Sequence, residues 1–494
     1  MEVTVLFFLT SGVFLGWALG ANDAANVFGT AVGTRMIRFT TAAIICSIFL
    51  ILGAVFSGAG AADTLGKLGA INALPGSFMA ALSAALSVYL MTKAGLPVST
   101  TQAIVGGIIG WNLFSETQTD SASLLKILST WIICPVLSAV ISILLFKSIS
   151  WVLHRYRLHL LRTDAYTRVG LILAGAFGSY SLGANNIGNV MGVFVPASPF
   201  TDFNIAGMFT ITSVQQLFLI GALSIAVGVF TYSKRVMSTV GGGLVALSPV
   251  AAWVVVVSHS IVLFLFASQG LEAFLASYGL PTIPLVPVSS SQAVVGAVMG
   301  IAFVKGGRGI RWRVLGGIGM GWIATPVLAG AVSFVGLFFL QNVFNQTAYL
   351  PVSYRISDSV AEKLKTTDIK FSTISPIVGV SYDTAVDFAN VLDQIPALSS
   401  DQQKTIQHFA EVHEMIIDGD LFAKMKTGVL SEKQLASVRQ LKGQSFDYKW
   451  RLAEVLANME PEWRMLPDNK INKARNKRIQ SDLAYLYRLF NAAR

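Results

Sequence analysis

Charge is what this chain has least of. Only 13% of its 494 residues are Asp, Glu, Lys or Arg, while 53% are hydrophobic. Soluble domains carry about 25% charged residues, so this composition points to a membrane protein. The shortage is also uneven. Residues 1–350 hold 16 of the 36 basic and 8 of the 26 acidic residues, leaving 20 and 18 to the remainder. An apolar body therefore precedes a charge-rich tail. Cysteine is nearly absent: Cys46 and Cys134 lie in apolar segments without a Cys or His at ligand spacing, which argues against a disulfide framework or a zinc site. Histidine is scarce as well. His154 and His159 fall in a basic loop and His259 stands isolated, with no carboxylate cluster or nucleophile–base pair in the body. An enzyme is not expected. The formal charge of +10 lies mostly in short loops of the body, where it reads as membrane topology; nucleic acid is not an expected partner. The run Val3–Leu19 has no basic lead and continues into a polar motif, so it reads as a retained helix, not a signal peptide.

What the body does have, it has twice. Pro97-Val98-Ser99-Thr100-Thr101-Gln102 returns as Pro287-Val288-Ser289-Ser290-Ser291-Gln292. Gly20-Ala21-Asn22-Asp23-Ala24-Ala25-Asn26 is echoed by Gly183-Ala184-Asn185-Asn186-Ile187-Gly188-Asn189, and Trp131–Pro135 by Trp322–Pro326. Apolar segments fall near 3–31, 40–60, 72–93, 97–114 and 123–152, then near 169–195, 204–231, 240–268, 285–304 and 312–343. Each copy thus has five segments, with extra residues in the second, for which Gly241–Gly243 and Pro281–Pro287 are the expected places. An odd number of crossings inverts the second copy relative to the first. Charges agree: Arg35, Arg38, Lys147, Arg155, Arg157, Arg162, Arg168, Lys234, Arg235, Lys305, Arg308, Arg311 and Arg313 share one loop parity. The other parity carries Asp63, Lys67, Glu116, Asp120, Asp202 and Glu272. By the positive-inside rule the first set is cytoplasmic and both termini face outward.

The segments that carry the polar runs are atypical spans. The first exceeds the roughly 20 residues a crossing needs. The fourth is short and opens with Pro97 and hydroxyls. Broken or re-entrant helices are expected, tolerated at membrane depth where they line a cavity or pack on protein. Ser99-Thr100-Thr101 and Ser289-Ser290-Ser291 each precede an apolar helix. Hydroxyls, unpaired first-turn N–H groups and two converging helix dipoles would make an anion site without Lys or Arg; plain capping is the competing reading. Gln102 and Gln292 would orient substrate oxygens or bridge helices. Asn22, Asp23 and Asn26 offer hard oxygen ligands suited to Na⁺, and Asp23 is the only carboxylate embedded in the first segment. Asn185, Asn186 and Asn189 repeat these oxygens without the charge. Asn22 and Asn185 are assigned with the hydroxyls to the anion; Asp23, Asn26, Asn186 and Asn189 are assigned to the cation. Gly16/Gly20, Gly106/Gly110 and Gly296/Gly300 stand four apart and read as close helix packing. Lys93 reads as snorkelling to an interface.

These duplicated strings resemble the PiT-type inorganic phosphate transporter family, over about residues 5–345. The resemblance implies two inverted repeats, a phosphate site between them and uptake coupled to Na⁺ or, in some members, H⁺. It implies that the Ser/Thr runs hold phosphate and the Asn/Asp clusters hold cation. The sequence departs from the family at two places. Asn186 stands where the family commonly has Asp, and Gln102 and Gln292 where it commonly has His. Both changes remove titratable groups.

The expected fold is an all-α polytopic membrane protein: repeat one over 1–160, inverted repeat two over 161–350 and a soluble helical tail over 351–494. Tail helices are expected near 384–396, 401–426, 431–442, 447–459 and 477–492, with starts at Asp401 and Ser431. The expected function is cation-coupled import of inorganic phosphate by alternating access. A permease for sulfate or another tetrahedral oxyanion is the second reading, and an anion channel the third. Inorganic phosphate, Na⁺ or H⁺ and the lipid bilayer are the expected partners, a homodimer is admitted, and no cofactor is expected beyond the coupling ion. The expected location is a bacterial inner membrane.

Overall fold

A computed structural model describes residues 3–69, 71–93, 98–156, 159–200, 202–205, 209–234, 237, 247–307, 310–367, 369, 371–425, 430–467 and 472–491. Pro97, Arg157, Arg235, Arg308 and Gly241–Gly243 lie outside them. The chain divides into two compact units, residues 1–115 with 119–349, and residues 116–118 with 350–494.

The first unit opens with α1 (Val3–Gly33), α2 (Phe39–Ser57), α3 (Ala59–Gly69), α4 (Leu74–Lys93), α5 (Thr100–Ser115) and α6 (Ser121–Tyr156). It continues with α7 (Leu160–Met191), β1 (Phe203–Ile205), β2 (Phe209–Ile211), α8 (Ser213–Thr231) and α9 (Pro249–Ala267). It ends with α10 (Gln269–Ser277), α11 (Ser290–Val304) and α12 (Trp312–Asn342). Among the described residues, α1, α2, α4, α6, α8, α9 and α12 are long and apolar enough to cross a membrane. α7 is as long as α1, but charged first turns and three asparagines make it more polar. At about 1.5 Å per residue, α5 and α11 reach only some 24 and 22 Å, short of a full crossing.

The packing repeats as the sequence does. α1 lies along α8 as α7 lies along α2. The pairs α1–α4, α4–α5, α4–α12 and α5–α12 recur as α7–α9, α9–α11, α9–α6 and α11–α6. Every one of these contacts returns with the copies exchanged. The glycines expected to permit close approach sit at these crossings. A Cβ on Gly106 would overlap the Pro326 carbonyl, and one on Gly296 the Pro135 carbonyl. Both prolines lie inside their helices, α6 and α12, where a ring without N–H leaves the carbonyl four residues earlier without its helical donor.

Several expectations need correction. The segment expected at 204–231 begins with an antiparallel hairpin, β1 with β2, and becomes helical only at Ser213, where Thr212 and Gln215 form a capping box. The segment expected at 285–304 is non-helical up to Ser289 and helical from Ser290. Two short helices, α3 and α10, were not foreseen; each is shorter than the span length on which the segments were delimited.

The second unit mixes helices with two-residue strands. It comprises β3 (Tyr354–Arg355), α13 (Asp358–Lys365), β4 (Ser381–Tyr382), α14 (Ala385–Asp393) and α15 (Ser400–Ala410). There follow β5 (Met415–Ile416), α16 (Glu432–Gln440), β6 (Ser445–Phe446), α17 (Lys449–Met459) and α18 (Lys473–Phe490). The helix expected over 401–426 stops at Ala410, because Met415 pairs with Phe446 in an antiparallel ladder. Its start is also earlier: Ser399, not Asp401, is the cap, whereas Ser431 caps α16 as expected. This unit contains a duplication of its own. Gly379-Val380-Ser381-Tyr382-Asp383 corresponds to Gly443-Gln444-Ser445-Phe446-Asp447. Both glycines have positive φ, +84° and +81°, and both donate N–H to an isoleucine carbonyl, of Ile356 or Ile417, at 2.8 Å. Ala389, Val391 and Leu392 of α14 match Ala453, Val455 and Leu456 of α17. Each lobe has its own apolar core, around Phe388 and Leu392 in one and Leu452 and Leu456 in the other.

Candidate functional site

All fourteen residues singled out by the two repeated motifs are buried, none more than 4% exposed. They do not form two separate clusters. They interlock between the two copies, and the non-helical residues Val98 and Val288, ahead of α5 and α11, explain how. A residue that precedes the helix cap keeps its carbonyl outside the helical ladder. The Val98 carbonyl accepts from Asn22 Nδ2 of its own copy at 3.2 Å and from Ser291 Oγ of the other at 2.8 Å. The Val288 carbonyl accepts from Asn185 Nδ2 at 2.8 Å and from Thr101 Oγ1 at 3.3 Å. Asn185 Oδ1 also receives the Val288 N–H at 2.9 Å. The asparagines four positions on repeat the exchange. Asn26 Nδ2 donates to Ser290 Oγ at 3.0 Å, and Asn189 Nδ2 to Thr101 Oγ1 at 2.9 Å.

Asp23 and Asn186 meet directly across the two copies. Asn186 Nδ2 donates to Asp23 Oδ2 at 2.9 Å. Asn22 Nδ2 donates to Asp23 Oδ1 at 2.8 Å, and its counterpart Asn185 Nδ2 to Asn186 Oδ1 at 2.6 Å. Thr100 Oγ1 lies 3.4 Å from Asp23 Oδ2. The carboxylate is thus held by three donors, which is what a buried charge requires. Its counterpart is a carboxamide, so the paired positions carry one negative charge between them.

The capping reading holds for the first serine of each run. Ser99 Oγ accepts from the Gln102 N–H at 3.3 Å, and Ser289 Oγ from the Gln292 N–H at 3.2 Å. Thr100 and Thr101, like Ser290 and Ser291, occupy the first turns of α5 and α11, where backbone N–H groups have no intrahelical acceptor. The two helix starts lie on either side of one polar cluster. Gln102 and Gln292 do not bridge helices: Gln102 Oε1, Gln292 Oε1 and Asn189 Oδ1 are buried with no partner among the described residues. Each such acceptor costs about 1–3 kcal/mol, so three in one cluster mark a place that takes up donors or a cation. Among the described residues no group of three His, Cys, Asp or Glu gathers to hold a metal ion. A hard, weakly held cation would have to rely on amide and hydroxyl oxygens with Asp23.

Two participants escaped the sequence. Cys134 Sγ points at the Ser289 carbonyl, 3.6 Å away. His259, read as isolated, is fully buried on α9 with Nε2 2.9 Å from Ser290 Oγ. Its place has no echo in the first copy, since α4 contains no histidine, and repetition was the signal by which the other residues were found. Lys93 ends α4 exposed, outside the cluster.

Comparison with known proteins places the chain among phosphate transporters. The chain is similar to a protein of Methanocaldococcus jannaschii named as a phosphate permease, 26% identical over 68% of this chain and 97% of the relative. It is similar to a protein of Rhizobium meliloti named as a low-affinity inorganic phosphate transporter, 26% identical over 67% of this chain and 97% of that one. A solved structure of a sodium-dependent phosphate transporter shares the fold, with a TM-score of 0.54 and 24% identity over 69% of this chain and 99% of that one. The family profile described as the phosphate transporter family matches residues 19–333 and 280–418. With two duplicated motifs folded into one buried cluster in an integral membrane unit, the chain belongs to the phosphate transporter family and is a transporter, not an enzyme.

Proposed function

We propose that the protein imports inorganic phosphate together with Na⁺ by alternating access. The observation that carries the reading is the interlocked polar cluster, to which both copies contribute matching amides and hydroxyls and the first copy alone a carboxylate, Asp23. The helix starts at Thr100 and Ser290 supply backbone N–H donors for anion oxygens, and Ser290 adds its hydroxyl. Asp23, with carbonyl oxygens such as that of Asn189, supplies the cation's ligands. Na⁺ bound first offsets the anion's charge in a medium of low dielectric. Inverted copies, both termini outside and residence in a bacterial inner membrane belong to the same reading, supported by the exchange of contacts between copies and by the parity of basic loops. The sodium-dependent relative supports Na⁺ over H⁺, as does the absence of titratable groups at 102, 186 and 292.

Sulfate is the second reading. The unpartnered acceptors Gln102 Oε1 and Gln292 Oε1 favour phosphate, because hydrogen phosphate brings a proton to donate and sulfate has none. Uptake of labelled phosphate and labelled sulfate into proteoliposomes, each with and without an inward Na⁺ gradient, tests the proposal. Concentrative phosphate uptake that stops when Na⁺ is withdrawn supports it. Sulfate uptake that phosphate cannot compete away, or downhill flux indifferent to Na⁺, overturns it.

A further inference from the structure

The two hydroxyls that open the motif helices are equivalent by repetition but not by surroundings. Thr100 has a carboxylate oxygen, Asp23 Oδ2, as its partner at 3.4 Å. Since a carboxylate only accepts, the Thr100 proton points to it. Ser290 has no carboxylate. Its Oγ accepts from Asn26 Nδ2 at 3.0 Å and meets His259 Nε2 at 2.9 Å. The direction of that last hydrogen bond depends on which ring nitrogen carries the proton. His259 Nδ1 is buried with no partner among the described residues. Were the proton on Nδ1, a buried N–H donor would be orphaned, the rarer of the two defects; were it on Nε2, only an acceptor lone pair would be left over. The second arrangement makes His259 a donor to Ser290. Ser290 Oγ then receives two hydrogen bonds, and its own proton is free to point elsewhere.

We propose that His259 is a positioning residue of the anion site: it donates to Ser290 Oγ, so that the Ser290 hydroxyl proton is reserved for an oxygen of a tetrahedral oxyanion. The inference rests on the phosphate-import reading above and deepens it. It divides the work between the copies. Thr100 spends its proton on Asp23 and belongs to the cation side. Ser290, with the same place at a helix start, keeps its proton for the anion. The first copy has nothing to play the part of His259, because α4 carries no histidine and no carboxylate.

The test uses the full-length protein in proteoliposomes, with inorganic phosphate as probe and four variants: H259A, H259Q, S290A and H259A/S290A. H259A raises the KM for phosphate roughly three- to tenfold, the worth of one neutral hydrogen bond, and leaves the Na⁺ concentration for half-maximal uptake in place. H259Q, whose amide can still donate to Ser290, restores KM to within about twofold of the parent. The double variant is no worse than S290A, because His259 acts only through Ser290. Multiplicative losses in the double variant, or a KM for H259Q as poor as for H259A, overturn the inference. Nitrogen-15 NMR of the histidine rings, with His259 assigned by its disappearance in H259Q, gives an answer independent of how well H259A folds. An Nε2–H tautomer is expected, and an Nδ1–H tautomer overturns the inference. If the parent protein takes up no phosphate, the import reading itself fails, a result distinct from any of these.

Discussion

The two membrane copies differ least where they pack and most at the centre of the polar cluster. Gly106 on Pro326 and Gly296 on Pro135 are the same contact made twice. So are Asn22 on Val98 and Asn185 on Val288. Helix crossings and carbonyl bridges tolerate no difference, because an exchange of contacts works only if both partners fit. The centre departs from that symmetry most consequentially where Asp23 faces Asn186 and where Ser290 faces a histidine that Thr100 lacks. A symmetric cavity would bind two equal ligands. An anion and a cation need unequal half-sites, which under the proposed function these departures would supply.

Matched substitutions break or sharpen this comparison. The largest effect is expected at the charge. Asp23→Asn removes the one carboxylate of the cluster and its charge-assisted hydrogen bonds, and Na⁺-driven phosphate uptake should fall by about 10- to 100-fold. Asn186→Ala, which removes a donor but no charge, should cost less, about tenfold; equal losses would erase the distinction between the copies. Next come the crossings. Gly106→Ala and Gly296→Ala each force a methyl group onto a proline carbonyl, and each should destabilise by roughly 1–3 kcal/mol or more, read as a drop in the melting temperature of the purified protein in detergent. Symmetry demands drops of similar size. Smaller effects belong to the caps. Ser99→Ala and Ser289→Ala should each lose about 1 kcal/mol by the same measurement, again alike.

The smallest effect lies in the tail. Burial alone would raise the Glu411 carboxyl, but the hydrogen bond and charge of His413, with the charges of Lys449 and His408, outweigh it and hold the group below its ordinary value. A lowered carboxylate contributes stability that is present above its unfolded value and lost as pH falls through the folded one. Hydrogen exchange across β5 and β6 should therefore accelerate below about pH 4.5, and Glu411→Gln should remove that dependence.

What could be read from the sequence was what the chain states twice. Asn22–Asn26, Ser99–Gln102, their echoes and the Trp-Pro pairs were visible as strings, and their burial followed from polar residues standing in apolar segments. Copy contacts such as Asn26 to Ser290 join residues 264 apart in the chain and could be anticipated only as a convergence. His259 had no echo to reveal it. α3, α10 and the β1–β2 hairpin fell below the length at which apolar runs are recognised. The tail duplication keeps only a glycine turn, a Ser-aromatic-Asp string and an alternation of apolar positions, too little to register until β4 and β6 are seen in equivalent ladders. The break after Ala410 is likewise imposed from outside the segment, by pairing of Met415 with Phe446, where tertiary context overrides local helix preference.

The central claim is that one negative charge, shared at the meeting point of two equivalent copies, organises cation and anion together. Exchanging the pair tests it most directly. Na⁺-driven phosphate uptake is to be measured in sealed vesicles for Asp23→Asn and for Asp23→Asn combined with Asn186→Asp. The account predicts that the single variant loses uptake and that the double variant, with its carboxylate restored 163 positions away, regains a substantial part of it. Uptake undiminished in the single variant, or a double variant as inactive as the single, would contradict it.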